Sequence, residues 1–234
     1  MGEFARLSGV VFEPGKAFQD IAAHPRWWPP LAIIIVLSLA FVTVFSQRVG
    51  FERFYRQIAE TNSRMQSMEA AQREQTIAVQ VKVAPYFFYG GAALGMPITA
   101  LIVAGVFLLI FRTLLGADIT FRQVYAVCCY SLVPLIFSSI MGFAVMMLKD
   151  PDQFDLQNAT PSNIGAFLDA TTTPKWLYSL STSVDVFALW ILALLATGLS
   201  VASRKISWAT AITWVVGTWA VWVLIKMGSA SLFG

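Results

Sequence analysis

The sequence predicts an all-α polytopic membrane protein: a five-transmembrane-helix bundle with an N-terminal amphipathic surface helix and a helical extramembrane first loop. Of its 234 residues, 57% are hydrophobic and only 12% are charged, about half the charged share of an average soluble domain. The apolar residues are concentrated in five stretches, each long enough to cross the ~30 Å hydrocarbon core of a bilayer as a helix. We expect these spans at about 29–47, 84–111, 121–148, 177–203 and 206–226.

The spans use most of the chain and leave no room for a separate soluble domain. We therefore divide the chain into a cytoplasmic amphipathic lead, residues 1–28, and a single five-helix membrane domain, residues 29–227.

A helix is predicted within the lead. Pro14 suits its first turn, Phe18 lies on its apolar face, and Lys16 and Asp20 are spaced as an i,i+4 ion pair. Pro25 ends it, because the residue before a proline avoids the α region. We expect this helix to lie on the membrane surface with Phe18 facing inward.

The first loop, about 51–82, is the most charged region and also has a helical pattern. Its apolar residues recur at steps of three and four, and its acidic and basic residues form i,i+4 pairs. We expect a helix that lies across the mouth of the bundle or on the bilayer; a coiled-coil dimer is the alternative interpretation. The pattern rests on Phe51, Phe54, Ile58, Met65, Met68 and Val79, with the pairs Glu52–Arg56, Glu60–Arg64 and Glu69–Arg73.

Local signals mark the second and third spans. Gly91 and Gly95 have the spacing that lets transmembrane helices approach closely, which indicates packing rather than a binding site. Thr120 and Gln123 form a predicted capping box at the start of the third span. Pro134 lies inside that span and is expected to bend it.

Asp185 is the one acidic residue within a predicted span. A carboxylate near the bilayer centre costs about 2.5–3.5 kcal/mol on insertion scales, so such a residue is a functional hypothesis by default. Near the start of a helix it would instead suit the helix dipole. Ser181 and Thr182 lie one turn earlier and are expected hydrogen-bond partners. Two interpretations stay open: a structural cap that locks the helix, and contact with an ion or substrate.

The sequence offers no set of catalytic, cofactor-binding or metal-binding residues. His24 is the sole histidine, so neither a metal-ligand set nor a Ser–His–Asp arrangement can be assembled around it. The aspartates of the 149–175 loop lack the glycine and terminal glutamate of a calcium-binding loop. A net charge of +3, without a basic stripe interleaved with aromatic residues, argues against nucleic acid as a partner.

The distribution of basic residues predicts a cytoplasmic N-terminus and an external C-terminus. The lead and the loops that would then face the cytoplasm are basic, whereas the arginines of the external first loop are largely balanced by glutamates in helical pairs. The basic residues on the cytoplasmic side are Arg6, Lys16, Arg26, Arg112, Arg122, Arg204 and Lys205.

Three stretches together resemble the Yip family, integral membrane proteins first defined by interaction with Ypt/Rab GTPases, and specifically its bacterial branch. The resemblance covers nearly the whole chain and implies a five-span bundle with a cytoplasmic N-terminus. In eukaryotic relatives it implies Rab binding, which goes with a long cytoplasmic domain that this short lead does not match. The stretches are 12–21 with the following Pro25, 120–126 with Tyr130 and Pro134, and 185–190 with Gly198; the motif residues include Pro14, Phe18, Thr120, Phe121 and Trp190.

The leading interpretation is a non-enzymatic integral membrane protein of the Yip type that organises the membrane or membrane-protein partners. The alternative is a small transporter or channel that uses Asp185. The expected partners are the lipid bilayer and other membrane proteins or further copies of the chain, and the expected location is the bacterial cytoplasmic (inner) membrane.

Overall fold

The computed structural model describes residues 1–156, 159–169 and 172–233. This part of the chain consists of helices, loops and an isolated β-bridge between Asn163 and Asp185. Five of its helical stretches are long and apolar enough to cross a membrane, which confirms the predicted fold class. They are Trp28–Arg48, Ala70–Leu114, Phe121–Leu148, Val186–Ser203 and Trp208–Ser231.

Eleven α-helices follow one another within the described residues. The lead and first span comprise α1 (Glu3–Phe12), α2 (Pro14–Ala23) and α3 (Trp28–Arg48). The first loop and second span comprise α4 (Phe51–Thr61), α5 (Ser63–Gln66) and α6 (Ala70–Leu108), which a π-helical stretch extends over Leu109–Leu114. The third span comprises α7 (Phe121–Ser131) and α8 (Pro134–Leu148), and the remainder comprises α9 (Lys175–Ser183), α10 (Val186–Ser203) and α11 (Trp208–Phe233).

The spans alternate in direction, so the bundle has two ends. We call the end that carries α1 and α2 the lead end, and the opposite end, where α8 finishes and α10 begins, the loop end. Most of the core lies between α2, α6, α7 and α10. A second cluster at the loop end joins Phe45 of α3 to Met146 of α8 and Phe154 of the following loop.

The lead packs on the bundle itself. α2 begins at Pro14 and ends at Ala23, as its proline signals predict. Phe18 is fully buried in the main core together with Ala17 and Ile21. The expected inward orientation of Phe18 thus corresponds to helix-on-helix packing against α7 and α10 rather than to insertion between lipids.

The first loop is a helical hairpin instead of the single helix expected over 51–82. α4 ends at Thr61. The side-chain oxygen of the next residue, Asn62, accepts hydrogen bonds from the N–H groups of Arg64 and Met65. These side-chain hydrogen bonds replace those that a continuation of α4 would make, so the chain turns at Asn62 and α5 begins. α6 then runs without interruption from Ala70 into the second span.

The apolar face of α4 is covered by the same chain. Phe51 and Phe54 contact the rings of Phe45 and Phe88, with centroids 5.1–6.0 Å apart. Closer to the turn, Ala59 packs with residues of α5 and α6. This arrangement matches the expected packing on the bundle mouth.

The third span is interrupted where its proline predicts. Thr120 and Gln123 form the capping box at the start of α7. α7 ends at Ser131, and α8 restarts at Pro134, whose missing N–H is tolerated in a first turn.

The fourth span is also divided, which the sequence prediction of one helix over 177–203 did not anticipate. α9 ends at Ser183 and α10 begins at Val186. Asp185 between them has an extended backbone and caps α10 with its side chain. A side chain that accepts hydrogen bonds from the backbone N–H groups two and three residues later favours the start of a new helix. Asp185 therefore separates α9 from α10.

Candidate functional site

The first two stretches that carry the Yip resemblance meet at the lead end, together with Gly198 of the third; residues 185–190 lie toward the loop end. α2 from the first stretch lies against α7 from the second and α10 from the third. The closest approach is at Gly198 of α10, where an added Cβ would lie 2.9 Å from the ring of Phe18 and 2.5 Å from the side chain of Val127. Only a glycine permits this distance between α2 and α10 without displacement of a neighbour.

A buried ionic network ties α1 to α2 and α7. The Arg6 side chain is 3% exposed, and its Nε donates to the Asp20 carboxylate at 2.7 Å while Nη1 donates to the His24 carbonyl at 3.2 Å. Glu3 completes the network, because it lies 3.5 Å from Arg6 and accepts a 2.7 Å hydrogen bond from the Tyr130 hydroxyl. Loss of any one partner would leave a buried charge unpaired and would lower the stability of the fold.

The ionic groups of the network hold one another in their charged forms. Burial lowers the pKa of Arg6, but its hydrogen bonds to Asp20 and Tyr130 and the charges of Asp20 and Glu3 raise that pKa overall. The hydrogen bond from the Met1 ammonium lowers the pKa of Asp20; burial opposes this, and Arg6 lowers the pKa further.

Further polar and aromatic contacts complete the docking of the lead. Gln123 of the capping box donates from Nε2 to the Ala22 carbonyl at 3.0 Å, so that one side chain holds both α7 and the end of α2. The Trp27 ring contacts the Tyr125 ring with a centroid distance of 5.3 Å. The lead and the start of α7 were both identified from their sequence motifs, but the contact between them was not predicted.

The sequence analysis missed Glu3, Arg6 and Asp20 as members of this site. It assigned Asp20 to Lys16, whereas Lys16 pairs with Glu13 at 2.6 Å. The available signal was the i,i+3 spacing of Glu3 and Arg6, which indicated a helix ahead of Pro14. Nothing local indicated that Arg6 would be buried.

The remaining motif residues serve the fold in different places. Phe121 is 40% exposed and stacks on Tyr125. Trp190 stacks on Phe137 of α8 with a centroid distance of 5.6 Å. Pro25 follows the end of α2 and is half-buried.

Asp185 lies at the loop end, at the start of α10. Its Oδ1 accepts hydrogen bonds from the N–H groups of Phe187 at 2.8 Å and Ala188 at 3.1 Å. Its Oδ2 accepts a hydrogen bond from the Ser162 hydroxyl. The Val186 N–H also donates to the Ser162 carbonyl at 3.1 Å, so the loop after α8 is fastened to the break between α9 and α10.

Of the two hydroxyl residues expected to bond Asp185, Thr182 has other partners and Ser181 is buried. Thr182 donates to the Ser179 carbonyl at 3.1 Å and accepts from Nζ of Lys226 at 3.2 Å. Within the described residues, the hydroxyl donor to Asp185 is Ser162, from a loop distant in sequence.

Two cavities lie between the spans, and Asp185 lines neither of them. One, of about 210 Å³, lies between α6, α7, α10 and α11. The other, of about 310 Å³, lies between α3, α6 and α8. Among the described residues, no group of three or more His, Cys, Asp or Glu side chains is placed to hold a metal ion.

Comparison with known proteins agrees with the resemblance carried by the three stretches. The family model described as the Yip1 domain matches residues 8–230. A protein named "Membrane protein YknW" from Bacillus subtilis (strain 168) is 26% identical over 213 residues, which cover 88% of this chain and 83% of that protein. No solved structure matches the chain significantly.

Proposed function

Because this chain belongs to the Yip1 domain family, we propose that it is a non-enzymatic membrane protein that assembles with other membrane proteins through the exposed face of α6. The proposed partner is a transmembrane helix, from another protein or from a second copy of the chain. The proposal also places the protein in the bacterial cytoplasmic membrane with its N-terminus inside, as the distribution of basic residues indicates.

The observation that carries this proposal is a sparsely covered second span that also has two glycines on its exposed face. Of its apolar window in Ala70–Leu114, 22% is buried, against 17% in Trp208–Ser231 and 28–39% in the other three spans. On the exposed face, Leu94 is 60% exposed, and a Cβ added at Gly91 or Gly95 would meet no atom within 4 Å. Lipid tails cover an apolar face adequately, but two glycines at this spacing let a second backbone approach closely.

Photo-crosslinking in membranes tests this proposal. A crosslinkable residue at position 94 is expected to give adducts with protein, and Gly91→Leu with Gly95→Leu should abolish them because larger side chains hold the partner helix away. Gly217→Leu is the matched control, since Gly217 of α11 is also open to its surroundings. Adducts with lipid alone, or protein adducts that persist in the double variant, would contradict the proposal.

Transport does not form part of this proposal. The Asp185 carboxylate is engaged by two backbone N–H groups and one hydroxyl. The cavities of about 210 Å³ and 310 Å³ are lined by residues other than Asp185, so neither supports a transport path built on it.

A further inference from the structure

One face of α11 combines an apolar surface with a lysine at its loop end. Val215, Trp219, Trp222 and Lys226 follow one another at steps of four, three and four and therefore share a face. The first three line the 210 Å³ cavity between α6, α7, α10 and α11. Lys226 lies one turn beyond Trp222, about 6 Å further along the helix axis.

The lining of this cavity favours an apolar occupant. Its walls include Val103, Phe107 and Leu195. The Ser131 and Thr218 hydroxyls that border it already donate to carbonyls of their own helices, each at 2.8 Å, so they do not call for a bound water. At about 210 Å³, the cavity exceeds the ~150 Å³ at which an apolar protein cavity binds a benzene-sized molecule.

Lys226 is held by hydroxyl groups of α9, one helical turn beyond Trp222, which lines the cavity. Its Nζ donates to Oγ1 of Thr182 at 3.2 Å and to Oγ of Ser183 at 3.1 Å. Within the described residues, no carboxylate lies within ion-pair distance of it. An ammonium has three donors, so within the described part of the chain one donor and the positive charge remain uncompensated.

A second polar group nearby also lacks a partner. The Ser179 side chain is only 6% exposed, and its hydroxyl makes no hydrogen bond within the described part of the chain. Ser179 lies one turn before Ser183 on α9, and its carbonyl accepts from the hydroxyls of both Thr182 and Ser183. Buried polar groups are usually paired, so this end of α9 has the features of a site for a polar ligand.

We propose that α9 and α11 bind one anionic phospholipid, with its phosphate on Lys226 and one acyl chain in the adjoining cavity. A headgroup with a net negative charge neutralises the positive charge of Lys226. A zwitterionic headgroup does so less well, because its own ammonium already balances its phosphate. The acyl chain supplies the apolar occupant that the cavity favours. The lysine and hydroxyl groups of this site belong to α9 and α11, whereas Gly91 and Gly95 belong to α6, so the site does not depend on the proposed assembly through those glycines.

Delipidated full-length protein in detergent provides the test, with thermal stability measured against added lipid. Phosphatidylglycerol should raise the melting temperature more than phosphatidylcholine of the same chains, and glycerol phosphate, the headgroup without chains, should have no effect. Lys226→Gln should remove the difference between the two lipids, and Lys226→Arg should retain it. Val103→Phe, which fills the cavity, should weaken the response to both lipids.

Lys149→Gln is the matched control, because Lys149 is an exposed lysine at the same end of the bundle. It should respond to both lipids as the unaltered protein does. The proposal is overturned if phosphatidylglycerol and phosphatidylcholine act equally on the unaltered protein, or if Lys226→Gln and Lys149→Gln respond alike. Stabilisation by glycerol phosphate alone would instead identify a free-phosphate site.

Discussion

The ring of Phe18 occupies the space that a side chain at Gly198 would need. An added Cβ at Gly198 would lie 2.9 Å from two carbons of that ring, closer than Cβ contacts in folded proteins allow. The lead is therefore joined to the membrane domain by a helix crossing that depends on one glycine.

The first prediction follows from this crossing. Gly198→Ala should lower the free energy of unfolding by about 1–3 kcal/mol, the usual cost of overpacking a filled core, and should loosen α2 from α10. Thermal melting in detergent and protease cleavage within residues 12–28 measure the two effects. Gly228→Ala is the control, because a Cβ at Gly228 meets no atom within 4 Å. Equal melting of both variants would contradict the prediction.

The second prediction concerns the bond between the first helix and the third span. Tyr130→Phe removes the hydroxyl that donates to Glu3 and should cost about 1–2 kcal/mol, because Glu3 then loses a partner in a partly buried place. Protease sensitivity of α1 should rise with little change in the transmembrane helices. Tyr86→Phe, at a tyrosine of α6 that is 80% exposed, is the control for the substitution itself. The interpretation is wrong if Tyr130→Phe melts at the temperature of the unaltered protein and resists protease equally.

How far the sequence could predict this molecule depends on the range of each interaction. The capping box joins Thr120 to Gln123, three positions later, and the break in the third span depends on Pro134 and the residues just before it. Both features are local, and both were predicted. The bond from Tyr130 to Glu3 joins residues 127 apart, and only the packing of α1 on α7 brings them together. Spacing along a helix cannot reveal such a pair.

The same distinction separates the correct and the missed features at the loop end. The helical dipole explained why Asp185 suits a first turn, which is a local argument. Its hydroxyl donor, Ser162, comes from a loop 23 residues earlier, so the nearby Ser181 and Thr182 were favoured instead. Asn62 is a further example, because the charge pattern on both sides of it predicted one continuous helix and its cap on α5 was not recognised.

The third prediction concerns pH. The hydrogen bond from Met1 and the contact with Arg6 lower the pKa of Asp20 below its ordinary value of 3.8. A carboxyl with a lower pKa in the folded state contributes stability that is fully present above the unfolded value and is lost as pH falls through the folded value. The free energy of unfolding, and the resistance of the lead to protease, should therefore both decrease below about pH 4. Asp20→Asn should be less stable at pH 7 and lack this acid-dependent loss.

The fourth prediction tests the proposed orientation. In a variant with both native cysteines replaced, a cysteine at Asp118 should be protected from a membrane-impermeant reagent added outside, whereas a cysteine at Asp155 should react. The reason is that basic short loops face the cytoplasm, and the loop containing Asp118 joins the second and third spans. Reagent added to inverted vesicles provides the reciprocal control. Labelling of position 118 from outside would reverse the topology.

The last prediction distinguishes the two roles considered for Asp185. As an N-cap that accepts from Phe187 and Ala188, it should tolerate Asp185→Asn, which keeps an acceptor, with a loss of only a few tenths of a kcal/mol. Asp185→Leu should cost about 1–3 kcal/mol, because two N–H groups and the Ser162 hydroxyl then lose their acceptor.

Ser162→Ala should cost less than Asp185→Leu, because the carboxylate keeps its two backbone donors. Thermal melting of the three variants gives the order, and ion flux into liposomes measured in parallel tests the other role. If Asp185→Asn and Asp185→Leu melt at the same temperature, the carboxyl does not act as a cap. If the unaltered protein conducts ions and Asp185→Asn abolishes that flux without changing the melting temperature, Asp185 acts through its titratable group instead, and the structural interpretation is wrong.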